Sequence, residues 1–549
     1  MKKYIYQILC NLCIIASLSL MVSSCKKTED EPAGPARVFK PGEIKVTSAA
    51  TSATLSWVKP LLSTGKALTY TVDFSKDSLF STIAFTTTVD TAGYVVTEDN
   101  IATRTPYFAR VKANAIDQQP ESKYNYSSKF SLTGIQLFER IRENELKETS
   151  VTLHYVKTEG LTSIKLTPAT GTEVTVSLSA ADAAAGVKEI LNLTAGIKYS
   201  AELFSGTKSK GILTFTTLAP TNYTQIISPA DNLASVIAGA ANNAVIGLRA
   251  GTYDLSAAST FITQKTITLK SISGNANDTK VNFKEIDIEG TGAGIILSGI
   301  EFDGTAGAAL YFINFIGSQA ANASAATFTN VKVDNCIVHG ATTAFMRGNR
   351  GSAVRDHKIT NIEVNNSIVY NNGADGSSSY YAFHLDNMEF VALNISKSTF
   401  YNFGPGLVLA SKTLNASVTP TVTIKQSTLN GFGGNSKYAL LDAAANPVNF
   451  SMQSSIFANT PKSGTVNAAA IRATAAGITL SISSSNYFKL KNSLTGTTAL
   501  TFGTATLTNN QSIELPWTTD TQTFELPAGS PLRSAASDAT AIGDPRWAY

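Results

Sequence analysis

Three of the chain's four histidines, His339, His357 and His384, fall in one short stretch, together with Arg347, Arg350 and Arg355. The net charge is only +4 over 549 residues, so this is a local concentration in a chain with little charge to spare. Two segments there differ from their surroundings: Ala344-Phe-Met-Arg-Gly-Asn-Arg-Gly351 and Tyr380-Tyr-Ala-Phe-His-Leu-Asp-Asn387. In an extended chain, alternate side chains share a face. With Ala344 and Met346 inward, Phe345, Arg347 and Asn349 face out; with Tyr381, Phe383 and Leu385 inward, Tyr380, His384 and Asp386 face out. Farther on, Leu407 and Leu409 point in and Lys412 points out. The chemistry on offer is carboxylate recognition. A guanidinium grips a carboxylate through two parallel hydrogen bonds. Phe345 and Tyr380 offer flat faces to sugar rings, and Asn349, Arg350 and Asp386 add polar contacts. Arg347, His384 and Lys412 are expected to form a cationic row, and each is a candidate base for taking a proton from a carbon beside a carboxylate.

Such a row needs a scaffold that places one residue after another at even spacing, and a repeat supplies it. The phrase Val333-Asp-Asn-Cys-Ile-Val-His339 returns as Val364-Asn-Asn-Ser-Ile-Val-Tyr370 and Ile395-Ser-Lys-Ser-Thr-Phe-Tyr401, then near Ser427, Ser455 and Ser485. The steps between the register residues Cys336, Ser367, Ser398, Ser427, Ser455 and Ser485 are 31, 31, 29, 28 and 30. A period of this size predicts a stacked-coil solenoid. Alternation and the Val, Ile, Ser and Asn content predict that its coils are strands. The expected fold class is all-β, ending in a parallel β-helix whose flank spaces outward residues by about 4.8 Å per coil. Cys336 reads as an inward ladder residue, and His339, at the place of Tyr370 and Tyr401, as packing at a coil corner.

The N-terminus reads as a targeting segment. Lys2 and Lys3 precede an apolar run from Ile8 to Val22, which is too short to span a membrane and closes in Val22-Ser-Ser-Cys25. That ending resembles a bacterial lipobox. The resemblance implies a signal peptide over residues 1–24, lipidation at Cys25 and a charged tether over 25–39, so that the protein would sit on the outer membrane by a lipid anchor, facing the cell exterior. Cys10 and Cys13 would be removed with the leader, which leaves Cys336 as the single thiol and no internal disulfide. The small net charge argues against nucleic acid as a partner.

Residues 40–133 read as one β-sandwich. Thr51-Ser-Ala-Thr-Leu-Ser-Trp-Val58 and Leu68-Thr-Tyr-Thr-Val-Asp-Phe74 alternate, and Thr105-Pro-Tyr-Phe-Ala-Arg-Val-Lys-Ala113 resembles the late strand of a fibronectin type III domain with Tyr107 at its corner. Residues 134–219 read as a second copy of this sandwich, with Thr149-Ser-Val-Thr-Leu-His-Tyr-Val156 matching the first strand and Tyr199 standing for Tyr107. His154 reads there as a surface residue without a partner. The β-helix is expected over 220–549. Val245-Ile-Gly-Leu-Arg-Ala-Gly-Thr-Tyr253 looks like the opening phrase of pectin-lyase-like right-handed β-helices. Ile542-Gly-Asp-Pro-Arg-Trp547 resembles the closing phrase of β-helix lipoproteins from Bacteroidota polysaccharide-utilisation systems. The resemblance implies this fold and a setting in glycan utilisation among other surface proteins, in a family of unknown function.

The expected ligand is an acidic, uronic-acid-containing polysaccharide. Three readings stay open: a non-catalytic binder, a polysaccharide lyase acting by β-elimination, and a structural or adhesive surface protein. A lyase needs a base and either a cation or Ca²⁺ at the carboxylate. Between residues 306 and 450 the acids are scattered, with no Asp-x-Asp pair, so no metal ligand set is assigned, and calcium enters only if the protein is a lyase.

Overall fold

The computed structural model describes residues 36–353, 356–374, 378–412 and 418–548. The repeated phrase folds as a coil corner. In the copy around Ser367, strand His357–Asn365 ends, Asn366 turns the chain at φ 49°, and strand Ile368–Asn372 begins. Asn335, Asn366, Lys397, Gln426, Ser454 and Ser484 all hold this left-handed turn, with φ between 47° and 51°. Asn adopts such values most readily of these types, which is why it recurs.

The turn leaves the next backbone N–H without a ladder partner, and the register residue supplies one. Ser367 N–H donates to Ser398 Oγ at 3.1 Å, Ser398 to Ser427 at 3.3 Å, Ser427 to Ser455 at 3.1 Å and Ser455 to Ser485 at 3.1 Å. Each hydroxyl in turn donates to the carbonyl two residues before it, as Ser398 does to Ser396 at 2.7 Å. Ser is therefore selected for a small side chain that accepts and donates at once in a dry corner. Cys336 begins this run; its N–H donates to Ser367 Oγ at 3.0 Å. Burial pushes its thiol up to about 12, so it is inert.

Stacking these coils gives a parallel β-solenoid of about nine turns. Among the described residues it has three sheets of 11, 9 and 8 strands. The first sheet runs from Gln225–Ile227 to Thr506–Thr508, the second from Gly251–Leu255 to Asn486–Leu490, and the third from Thr260–Thr263 to Ile471–Ala473. The opening phrase forms strands Ala244–Leu248 and Gly251–Leu255. Gly251 sits at φ 130°, where a Cβ would lie 2.4 Å from Pro229. At the entrance to the third sheet, two consecutive residues per coil enter the core: Phe312 and Ile313, Phe345 and Met346, Ala382 and Phe383, Leu407 and Val408, Leu440 and Leu441. Aromatic rings meet in the core there, Phe283–Phe312 edge-on at 5.1 Å, Phe312–Phe345 stacked at 5.5 Å and Phe345–Phe383 edge-on at 5.4 Å.

The closing phrase does not continue the stack. Trp517, Phe524, Leu526 and Ile542 cover the second sheet at Tyr401, Ile456 and Phe488. Asp544 accepts from Thr399 Oγ1 at 2.7 Å, Trp547 Nε1 donates to that same Oγ1 at 2.8 Å, and Arg546 reaches Asn366 at 3.2 Å. The phrase thus fastens the C-terminal segment across neighbouring coils. Lys397, beside the register Ser398, is not a bare surface residue, because it pairs with Glu143.

By its contacts the chain divides into two compact units. One comprises residues up to Glu139, Tyr155–Gly186 and Ser200–Thr214; the other comprises Arg140–His154, Val187–Tyr199 and the chain from Phe215. The N-terminal sandwich pairs strands Ile44–Ser48, Ser52–Trp57 and Gly93–Thr97 in one sheet. Its other sheet holds Phe85–Val89, Tyr70–Ser75, Phe108–Ala113 and Asn125–Tyr126. Trp57 meets Tyr70 edge-on at 5.3 Å in its core. The two corner tyrosines behave alike: Tyr107 Oη accepts from Ala102 N at 3.2 Å and Tyr199 Oη from Thr194 N at 2.9 Å, each five residues upstream. These are fibronectin type III-like sandwiches. His154 differs from expectation, since its Nε2 lies 2.8 Å from Glu145 Oε2.

Candidate functional site

On the outward side of the third sheet each coil contributes one residue to a column. In order these are Phe261, Asp287, Asn314, Arg347, His384, Leu409, Asp442 and Arg472. Strand spacing sets them about 4.8 Å apart per coil. Arg347 and His384 are neighbours, as the alternation predicts. The third member of the expected row is not in the column: Leu409 pairs with His384, and exposed Lys412 lies past the strand end. Leu409 was expected inside, but Leu407, Val408 and Ala410 fill the core there instead.

Arg347 is held without a carboxylate. Its Nε donates to Asn349 Oδ1 at 2.7 Å, and its guanidinium carbon lies 4.7 Å from the Tyr311 ring centroid and 5.6 Å from that of Tyr380. Asn349 Nδ2 donates to Tyr380 Oη at 3.4 Å, so one amide orients both groups. Arg350 presents a buried Nε with no partner. No carboxylate of the described residues forms an ion pair with Arg347 or Arg350. Arg472, four coils on, contrasts with them: Asp442 takes it in two bonds of 2.6 and 2.8 Å, above the Tyr438 ring.

Three expected roles change. Phe345 is fully buried among Phe312, Phe383 and Phe400 and offers no face to a sugar. Alternation fails there because the coil bends into the third sheet with two successive side chains inward. His384 is only 8% exposed and stacks on Tyr380 at 4.1 Å. Burial pushes its imidazole down to about 4, with Arg347, Lys437 and Lys412 adding to the shift and Asp386 opposing it. It is therefore neutral near pH 7, and its Nδ1 accepts from Tyr381 N–H at 3.4 Å, so it is neither a cation nor a free base. Asp386 is spent on the turn after the next strand, accepting from Ser411 N, Ser411 Oγ and Lys412 N at 2.7–2.9 Å. Tyr380 was expected to offer its ring to a sugar, but His384 covers one face of that ring. Cys25 and Arg355 lie outside the described residues.

The His384 shift has a consequence for stability. Its folded value lies below the ordinary 6.5, so the unfolded chain binds the extra proton first. The stabilisation is present above about pH 6.5 and is lost as pH falls toward 4, by on the order of 3 kcal/mol. His384→Phe keeps a ring on Tyr380 and removes the titration. Melting temperature measured from pH 7 to 4.5 should fall less steeply for this variant than for wild type, and identical slopes would contradict the assignment.

Sequence reasoning missed an acidic neighbour of the cluster. Glu285, Asp287 and Glu289 alternate outward on one coil, a signal present in Glu285-Ile-Asp-Ile-Glu289 but just before the stretch searched for acids. Burial, and then Asp287, raise the Glu285 carboxyl, while Arg350 and Arg347 oppose. Asp287 is also raised by burial and accepts from Asn314 Nδ2 at 2.7 Å. The Asn314 Oδ1 is buried without a partner. Glu289 is fully engaged by Thr263 and Gln319. Tyr311, whose ring takes the Arg347 cation, was missed as well.

Among the described residues, Glu301, Asp303 and His339 converge as a group of metal-ligand type. Lys280 already sits there, 3.3 Å from Glu301 and 2.7 Å from Asp303. Against the upward push of burial, Lys280 and Thr305 hold Asp303 down to about 2. Two carboxylates, an imidazole and an ammonium do not suit calcium, which takes six to eight oxygens. His339 also stacks on Tyr370 at 4.7 Å, with Tyr370 on Tyr401 at 5.0 Å, so it packs at the corner as expected.

No family model and no curated protein matches the chain. Among solved structures, the chain is similar to a two-domain fibronectin type III segment of chicken tenascin. The identity is 16%, over 32% of this chain and 99% of that one, with a TM-score of 0.18. The FN1–FN3 domains of chicken CNTN1 match at 14% identity over 34% of this chain and 69% of that one, with a TM-score of 0.15.

Proposed function

We propose that the chain is a cell-surface lipoprotein that binds an acidic, uronate-containing polysaccharide along the outward face of the third solenoid sheet. The observation that carries this reading is Arg347, held in place by an amide and aromatic rings, with Arg350 presenting a buried Nε without a partner, and neither in an ion pair with a carboxylate of the described residues. A guanidinium so fixed is prepared for an incoming carboxylate at little further ordering cost. Exposed Lys412 adds charge on the same side. The even rise of the coils suits a polymer whose units repeat. The lipobox-like Val22-Ser-Ser-Cys25 supports an outer-membrane anchor at Cys25. The opening and closing phrases support kinship with pectin-lyase-like β-helix lipoproteins of Bacteroidota, and with it a place in glycan utilisation beside other surface proteins.

The test is retention of the full chain on immobilised pectate, alginate and glycosaminoglycans, beside neutral glycans, over a range of salt. Retention on at least one acidic polymer is expected, weakening as salt screens the contacts beyond about 8–10 Å. Because His384 is neutral, affinity should stay flat between pH 6 and 8. Salt-independent binding to neutral glycans alone would reject the reading and favour an adhesive or structural role.

A further inference from the structure

The N-terminal pole of the first sandwich carries apolar side chains that neither the fold nor the glycan face uses. Three segments meet there. Where the chain enters the domain, Val38 N–H donates to the Pro120 carbonyl at 3.0 Å and Gly42 N–H to the Val58 carbonyl at 2.8 Å. The loop before strand Tyr70–Ser75 reaches the loop after strand Phe108–Ala113 through Lys66 and Asp117, 3.3 Å apart. Phe39, Val58, Leu61 and Leu62 stand exposed on the entering chain and the first of these loops, Leu61 at 73% and Leu62 at 83%. Short turns fix that loop: Ser63 Oγ donates to the Pro60 carbonyl at 2.6 Å and Lys66 N–H to the Ser63 carbonyl at 3.1 Å. Leu62 holds φ 57°, a left-handed conformation that a bulky side chain adopts only at a cost. A leucine kept in solvent at that cost adds nothing to the core.

We propose that this pole rests on the membrane that holds the anchor, with Leu61 and Leu62 set into the lipid interface. The inference rests on the lipid-anchor part of the reading above and goes beyond it. The occupant follows from the chain. Thirteen residues separate Val38 from Cys25, a span of at most about 45 Å when fully extended, so a lipid at Cys25 keeps this pole close to the bilayer. The opposite pole is engaged otherwise. Before the start of strand Phe108–Ala113, Arg104 donates to Ser209 Oγ of the second sandwich at 2.9 Å. Charge agrees as well. Lys26 and Lys27 follow the anchor, and exposed Lys40 and Lys59 flank the apolar side chains and form no ion pair among the described residues. Lysines around exposed leucines match anionic headgroups above hydrocarbon. A lipid alone leaves a domain free to swing about its tether. A second contact at the pole fixes its orientation, and the tether makes even a weak contact effective by holding the two surfaces at high local concentration.

The experiment uses the full lipidated chain in vesicles of phosphatidylcholine and phosphatidylglycerol with brominated acyl chains, which quench a tryptophan in contact with them. One tryptophan is added at a time, as Leu61→Trp or as Leu79→Trp. Leu79 is 87% exposed but lies past the far end of strand Tyr70–Ser75, so it is a control of similar exposure at the opposite pole. The emission added by Leu61→Trp should fall by about twofold or more on brominated vesicles, and that of Leu79→Trp should stay unchanged. Leu62→Asp in the Leu61→Trp chain should reduce the quenching without a change in melting temperature, because aspartate tolerates the left-handed turn. A vesicle-bound chain in which Leu61→Trp is quenched no more than Leu79→Trp, or in which Leu62→Asp makes no difference, overturns the inference and leaves the anchor standing. A blue shift of the Leu61→Trp emission without quenching marks a protein surface as the occupant and overturns it too. A chain that takes up no fatty acid and does not float with vesicles overturns the anchor and the inference together.

Discussion

Ser398→Phe is expected to destabilise the solenoid by on the order of 4 kcal/mol. Ser398 is fully buried, and both neighbouring coils depend on its place in the ladder. A phenyl ring there must displace the rungs one strand spacing above and below, and overpacking of this kind costs about 1–3 kcal/mol. The substitution also removes the acceptor of the Ser367 N–H and leaves that donor buried and unpaired, which costs about another 1–3 kcal/mol. Ser398→Ala isolates the second effect and should fall in between. Lys425→Ala, on an exposed strand end, should change stability by less than about 0.5 kcal/mol. Denaturant or thermal unfolding of the full chain reads all three. An unchanged midpoint for Ser398→Phe would mean that the register residues do not face inward.

This ladder was the most legible part of the molecule. Its signal repeats at steps of 28 to 31 residues, and each copy reports the same corner. The corner tyrosines were legible for a related reason: Tyr107 and Tyr199 each bond a backbone N–H five residues upstream, so a local motif carries the information. Side-chain direction near the third sheet was less so. Alternation assumes a straight strand, and the bend that sends both Phe345 and Met346 inward is made by the coil as a whole. The protonation of His384 was not legible either, because it depends on burial and on charges, Arg347 and Lys437 among them, that lie on neighbouring coils. Glu285 and Asp287 were within reach of the same alternation argument. They escaped because they belong to a coil about 60 residues before Arg347 in sequence, and only the register brings the two close. The closing phrase was recognisable as a motif, but its lateral attachment through Thr399 and Asn366 depends on contacts across 145 to 180 residues.

The largest functional effect should come from Arg347→Ala. A charge-assisted contact from a fixed guanidinium is worth about 1–3 kcal/mol, so binding to the acidic polymer should weaken by about 5- to 150-fold. Arg472 occupies the same outward column and also lies over a tyrosine ring, which makes it a close control. Its charge is already satisfied by Asp442 through two bonds, so Arg472→Ala should change affinity by less than about threefold. Lys in place of Arg347 should restore only part of the loss, because an ammonium cannot supply two parallel donors. The partly exposed position of Arg347 means that its removal should leave the melting temperature nearly unchanged, which separates lost recognition from lost folding.

The most direct measurement is therefore the affinity of the full chain for the acidic polysaccharide it retains best, compared among wild type, Arg347→Ala, Arg350→Ala and Arg472→Ala at low and physiological salt. The account predicts a large loss for Arg347→Ala, a loss for Arg350→Ala, near-wild-type binding for Arg472→Ala, and a shallower salt dependence for the first two. Equal affinity for Arg347→Ala and Arg472→Ala, with the same salt dependence as wild type, would contradict it.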